Sequence, residues 1–146
     1  MDKRTGKTVV AVSGYFNPLH VGHLNLFKEA KAMGDYLVVI VNNDNQVGLK
    51  GSVPFQKESD RVKIVEAIKW VDEAFLSIDR DRTVCESLRA VKPNIFANGG
   101  DRNRGNIPEE AICKELNIKM VDGTGGGKIQ SSSVLLKNVI ENNVKK

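Results

Sequence analysis

Residues 8 to 24 read Thr8-Val9-Val10-Ala11-Val12-Ser13-Gly14-Tyr15-Phe16-Asn17-Pro18-Leu19-His20-Val21-Gly22-His23-Leu24, and they decide the fold. The first five are β-rich and almost continuously apolar, too short a run for a surface helix, which makes a strand buried on both faces; Ser13-Gly14 ends it. From Val21 to Met33 the apolar residues Leu24, Phe27, Ala30 and Ala32 recur near helical spacing, and Gly34 follows where a C-terminal cap belongs. The connecting loop carries His20 and His23. Spacing of i and i+3 sets both imidazoles on one side of the first helical turn, beside its free N–H groups and partial positive charge. That combination suits a polyphosphate. Gly14 lets the backbone come close, and Gly22 removes a side chain between the rings and the anion. Taken alone, the pair is equally two surface histidines, or a metal site lacking its third ligand.

Outward from this unit, strand and helix alternate. Tyr36 to Val41 is a second buried strand, and Gln56 to Trp70 an amphipathic helix marked by Val62, Ile64, Val65, Ile68 and Trp70. A strand from Glu73 to Ile78, a helix from Val84 to Ala90 and a strand from Ile95 to Ala97 follow. Pro108 to Leu116 is a helix, Ile118 to Val121 a last strand, and Ser132 to Glu141 a closing helix. The expectation is the α/β class: a doubly wound, Rossmann-like sheet of about five parallel strands with helices on both faces, forming one domain over 1–146. In such sheets the ligand crevice lies beyond the carboxyl ends of the strands, where strand order reverses. Chemistry is therefore sought in the loops Ser13 to Val21, Asn42 to Phe55 and Asn98 to Asn106, with Asp122 to Gln130 as a fourth.

The chain has 146 residues, 22 basic against 18 acidic, and a net charge of +4. Aromatic residues make up 5% of it, and no dense basic run interleaves with them, which argues against nucleic acid as the partner and is compatible with small anions. Cys85 and Cys113 form no CxxC pair, so neither a disulfide framework nor a zinc site is indicated, and both are expected to pack inertly in helices. The longest apolar run is far too short to cross a bilayer and the polar start is no signal peptide, so a cytoplasmic protein without a membrane partner is expected. Gly123 to Ser133 is a glycine run feeding serines at a helix start, either an anion site or an ordinary loop with a serine cap. Lys50, flanked by Gly48 and Gly51, is placed to swing onto phosphates unless it is simply solvated. Arg61 opens a helix, where a cation is unfavourable without an anion or Asp60 to offset it.

As a whole, the first loop resembles the signature of the cytidylyltransferase-like nucleotidyltransferases, G-x-F-D-x-x-H-x-G-H. Gly14, Phe16, His20, Gly22 and His23 fall in place, with Asn17 where many members have Asp. The resemblance continues through Ala30 to Val39, Asn42-Asn43-Asp44, Leu49-Lys50-Gly51, Asp60-Arg61, Asn98-Gly99-Gly100-Asp101 and Ile129 to Ser133. It is strongest toward ADP-heptose synthase adenylyltransferase domains and glycerol-3-phosphate cytidylyltransferases, although the arginine that the latter carry before the last helix is absent. The resemblance implies transfer of AMP or CMP from a nucleoside triphosphate to a phosphorylated small molecule, with release of pyrophosphate. It implies that His20, His23 and Lys50 act on the phosphates. Gly14, Tyr15, Phe16, Asn17, Gly22, Asn98, Gly100, Asp101, Ser131, Ser132 and Ser133 join the two histidines in binding nucleotide, while Arg61 and Lys50 face the acceptor. Mg2+ would arrive with the triphosphate, bound by no residue of the chain, and a homodimer is a state the family often adopts. A non-catalytic nucleotide-binding or sensor domain of the same fold is the alternative.

Overall fold

The structure is a computed structural model and describes residues 5–99 and 107–124. In chain order the elements are β1 (Val9–Gly14), α1 (Val21–Ala32), β2 (Tyr36–Val41), α2 (Asp44–Leu49), α3 (Glu58–Glu66), β3 (Glu73–Leu76), α4 (Cys85–Val91), β4 (Ile95–Ala97), α5 (Ile107–Glu115) and β5 (Lys119–Val121). The strands form one sheet of order β3-β2-β1-β4-β5, and every neighbouring pair is parallel. The expected Rossmann-like architecture is therefore present, with the reversal of strand order between β1 and β4. The closing helix over 132–141 lies outside the described residues.

The continuous apolar character of β1 and β2 follows from two covered faces. Val9, Ala11, Tyr36, Val38 and Ile40 pack against Val84 at the start of α4, Leu88 and Val91 within it, and Cys113 of α5. The alternate residues Val10, Val12, Leu37, Val39 and Val41 pack against Leu26, Phe27 and Ala30 of α1 and Val65 of α3. A period of two thus feeds two cores, and no polar face is left to break the run. Trp70, half-buried, joins the α1–α3 side, as expected of a core residue.

Several boundaries differ from the sequence reading by one or two residues, and three larger departures have a local reason. Ser13 and Gly14 do not stop β1, because they continue its pairing with Ile40 and Val41 of β2. The stretch after β2 is not all loop. Asn43 accepts the Gln46 N–H on its side chain while Gln46 Oε1 accepts the Asn43 N–H, a reciprocal cap that starts α2 in a segment whose Asn and Asp content resembles a turn. The helix expected to reach Trp70 ends at Glu66, because Ala67 and Ile68 donate three residues back, to Ile64 and Val65, and tighten the chain out of the helix. Gly34 is not the left-handed cap it resembles. A Cβ there would lie 2.7 Å from the Thr8 carbonyl oxygen, so the turn into β2 needs glycine for space.

Candidate active site

The β1–α1 loop stands at the carboxyl edge of the sheet beside the β1/β4 switch, and His20 is the N-cap of α1. Its Nδ1 accepts the Gly22 N–H at 3.1 Å, while its own N–H is donated to Nδ1 of His23 at 3.0 Å. Two histidines thus do what Ser and Glu do in a capping box. Their rings stack with centroids 3.7 Å apart. Because each Nδ1 is used as an acceptor, these bonds assign the proton of each neutral ring to Nε2, so both imidazoles present an Nε2–H donor. Burial, and then the neighbouring His20, push the His23 pKa down to about 3, which keeps it neutral.

The helix terminus is correspondingly less open than its position suggests. The Gly22, His23 and Leu24 N–H groups are all donated to His20, the first to its ring and the others to its carbonyl oxygen. The expectation of free backbone donors is corrected: these three N–H groups are already engaged by His20. The role expected of Gly14 is corrected too. A Cβ on it would lie 2.7 Å from the Phe16 ring, so Gly14 makes room for that ring and not for a ligand. Phe16, 2% exposed and with φ +50, stands edge-on to His23 with centroids 4.8 Å apart and contacts Phe27 behind it. It buttresses the histidine from inside, which corrects the expectation that Phe16 meets the nucleotide.

Asn17 is also turned inward. Its Nδ2 donates to the Val53 carbonyl oxygen at 2.9 Å, and its Oδ1 accepts the Phe55 and Gln56 N–H groups, so the amide clamps the α2–α3 loop to the histidine loop. This takes Asn17 off the nucleotide-binding surface, with its polar atoms engaged and the residue buried. The reading of Arg61 requires the largest correction. Its side chain is fully buried, with Nε donating to Gln56 O, Nη1 to Tyr15 O and Asn42 O, and Nη2 to Asp44 Oδ1 at 2.7 Å. It neither pairs with Asp60 nor extends toward an acceptor. It welds the carboxyl ends of β1 and β2 to α2.

Lys50 is the C-cap of α2, exposed, with Nζ 4.4 Å from the centre of the Tyr15 ring. Burial raises the Tyr15 pKa, and the Arg82 guanidinium opposes that rise. On the other side of the switch, Asn98 donates its N–H to Val121 O and accepts the Thr124 N–H, which fixes the start of the β4–α5 loop against the chain after β5. Gly100, Asp101 and Ser131 to Ser133 lie outside the described residues. Glu109, in the first turn of α5, is 7% exposed, accepts the Val84 N–H, and has its pKa raised by burial. Cys113 packs in α5 with its thiol pushed up to about 11, and Cys85 opens α4 with its pKa raised as well, so both are poor thiolates.

Sequence reasoning missed Arg82 and Gln46. The rule that loops after strands carry chemistry covered the β3–α4 loop as well, and Asp81-Arg82-Thr83 stood there to be found. Gln46 carried no such signal, because a glutamine whose amide grips a distant backbone cannot be told from a solvated one.

A family model described as cytidylyltransferase-like matches residues 11–124. The chain is 31% identical over 135 residues to a FAD synthase of Picrophilus torridus, covering 90% of this chain and 96% of that protein. It is 33% identical over 135 residues to the bifunctional protein HldE of Desulfatibacillum aliphaticivorans. That match covers 91% of this chain and 27% of the HldE protein, so the chain spans about a quarter of that relative's length. A lipopolysaccharide core biosynthesis protein from Thermoplasma volcanium superimposes with a TM-score of 0.71 at 31% identity, covering 80% of this chain and 96% of that one.

Proposed function

The chain belongs to the cytidylyltransferase-like family, and from that premise we propose that it transfers a nucleoside monophosphate, AMP or CMP, from a nucleoside triphosphate to a phosphorylated small molecule. A phosphate oxygen of the acceptor attacks the α-phosphorus, the bond from that phosphorus to the bridging oxygen breaks, and pyrophosphate leaves. The observation that carries this reading is the reciprocal histidine cap at one helix start, in which each Nδ1 accepts a backbone N–H and His23 is held neutral. A purely binding domain has no need of a histidine held uncharged beside a phosphate. A neutral donor suits a leaving group, because its hydrogen bond strengthens as charge develops on the oxygens and it need not surrender a proton.

In this reading His20 and His23 donate to the bridging and β-phosphate oxygens, and Lys50 neutralises phosphate charge. Gly22 leaves room at the rings, and Asn98, Gly100 and Asp101 take the base and ribose; Tyr15, expected on the nucleotide, is reassigned to the acceptor side because Lys50 lies over its ring. Ser131, Ser132 and Ser133 close on the phosphates. A magnesium ion carried with the triphosphate would offset its charge. Among the described residues no group of three His, Cys, Asp or Glu gathers to hold a metal, so no ligand from the chain is assigned to it. The likeness to a FAD synthase favours ATP as donor, since FAD contains an adenylate, and adds a flavin phosphate to the sugar and polyol phosphates as acceptors. The likeness to a lipopolysaccharide core protein favours a sugar phosphate.

Pyrophosphate release, measured for the four nucleoside triphosphates against glycerol 3-phosphate, heptose 1-phosphate and flavin mononucleotide, tests the proposal. One nucleotide and one acceptor should release it together and neither alone. Silence across the panel, with nucleotide binding intact, would favour the sensor reading.

A further inference from the structure

With the Arg61 guanidinium sealed in the wall, the acceptor's phosphate needs another cation, and the carboxyl edge of the sheet supplies Arg82. It lies in the β3–α4 loop and is exposed. Among the described residues no carboxylate stands within ion-pair distance of it. Its neighbour Asp81 is engaged with Thr83, accepting from the N–H at 2.9 Å and from the hydroxyl at 2.7 Å.

The loop is held as though Arg82 must be presented. Gln46 of α2, fully buried, donates both amide protons of Nε2 to the carbonyl oxygens on either side of that arginine, Asp81 and Thr83, each at 2.8 Å. Asn43, at the other end of the same cap, donates to the Ser77 and Asp79 carbonyl oxygens at 3.0 and 3.1 Å. Asp79 in turn accepts the Glu86 and Ser87 N–H groups and ties the loop to the start of α4. The helix that grips the Arg82 loop therefore also ends in Lys50. The two cations belong to one hydrogen-bonded unit: Gln46 of α2 fixes the backbone on both sides of Arg82, and Lys50, at the end of the same helix, lies over the Tyr15 ring.

We propose that Arg82 and Lys50, brought to one edge by the α2 clamp, hold the phosphate of the acceptor substrate. The guanidinium offers a planar fork that matches two phosphate oxygens, and the ammonium adds a mobile point charge. An incoming dianion draws Lys50 off the aromatic face, because a phosphate is the stronger partner for the cation. The site rests on the nucleotidyl-transfer reading for what the phosphate belongs to, but its existence is testable without turnover.

Inorganic phosphate is titrated into the whole chain without metal and followed through the backbone N–H resonances of Tyr15 and Thr83, with ATP and CTP titrated in parallel. The wild type should show saturable shifts. Arg82→Ala should weaken phosphate at least ~10-fold and either nucleotide by no more than about twofold, and Arg82→Lys should recover only part of the loss. An absence of saturable shifts in the wild type, equal phosphate binding by Arg82→Ala, or a parallel loss of nucleotide would each overturn the proposal. Because this readout needs no catalysis, a chain that binds phosphate through Arg82 yet releases no pyrophosphate would refute the proposed function and leave the site standing. Turnover unchanged by Arg82→Ala at low acceptor concentration would do the reverse.

Discussion

His23 is a half-buried base whose proton affinity is lower in the folded chain than in the unfolded one, so it should make stability depend on pH with a definite sign. Its ordinary value is 6.5 and its folded value about 3. Between those values the unfolded chain binds the proton and the folded chain does not, so stability rises with pH across the window and is lost as pH falls from 6.5 toward 3. From about pH 7 to about pH 5 the loss from this residue is about 2 kcal/mol. That figure barely depends on whether the folded value is 3 or a unit higher, because both lie below the window's floor. The informative variant is His23→Asn, whose Oδ1 can take the place of Nδ1 as acceptor for the His20 N–H but does not titrate. Urea midpoints for both proteins at the two pH values give the double difference. The wild type should lose about 2 kcal/mol more than the variant on acidification. Equal losses, or a His23 ring resonance that titrates near 6.5 in the folded protein, would refute the claim that the imidazole is held neutral by burial.

The other expectations follow from the same contacts. His20→Ala and His23→Ala should each lower pyrophosphate release by at least ~100-fold, since they act on developing charge. Each should cost about 1 kcal/mol in the denaturation midpoint, since each also removes half of the α1 cap. Arg61→Ala should cost about 3–5 kcal/mol, because it strands Asp44 and the carbonyl groups of Tyr15, Asn42 and Gln56. Arg61→Lys should recover little, having one nitrogen for four acceptors. A selective rise in acceptor KM with unchanged stability would instead return Arg61 to the substrate. Asn17→Asp, which restores the residue many relatives of this family carry, should destabilise by about 1–3 kcal/mol, because a carboxylate oxygen replaces the donor facing Val53 O. A neutral or stabilising result in urea unfolding would contradict the clamp.

The fold was legible because its signals are periodic. β2 and β4 were placed to the residue by apolar runs that two covered faces require, and α1 by its spacing. What stayed hidden was organised by side chains that satisfy backbone. Asn43 and Gln46 make α2 out of a segment with turn composition, and the cap works through two amides whose partners are each other. The end of α3 came early because a change from four-residue to three-residue hydrogen bonds leaves no mark on apolar spacing. In the site, sequence located the histidines and could not tell which atoms they would offer.

The same distinction explains which functional assignments moved. A polar residue in a loop at the sheet's carboxyl edge can face the crevice or face the loop's own backbone, and sequence alone weights the two alike. The physics does not. Loops that bring β1, β2 and β3 to one edge bury carbonyl and N–H groups that no ladder satisfies, and each left unpaired costs about 1–3 kcal/mol. Asn17, Asn43, Gln46 and Arg61 meet that demand with amide and guanidinium groups that serve several partners each. The residues left to face solvent there include Lys50 and Arg82, single cations at the ends of short spans fixed by those clamps. A multidentate side chain in such an edge is therefore better read first as scaffold, and the cation beside it as the hand that meets the ligand. Arg61 and Arg82 show the contrast: one is buried with its donors engaged by backbone and carboxylate before any ligand arrives, while the other is exposed with no carboxylate partner among the described residues.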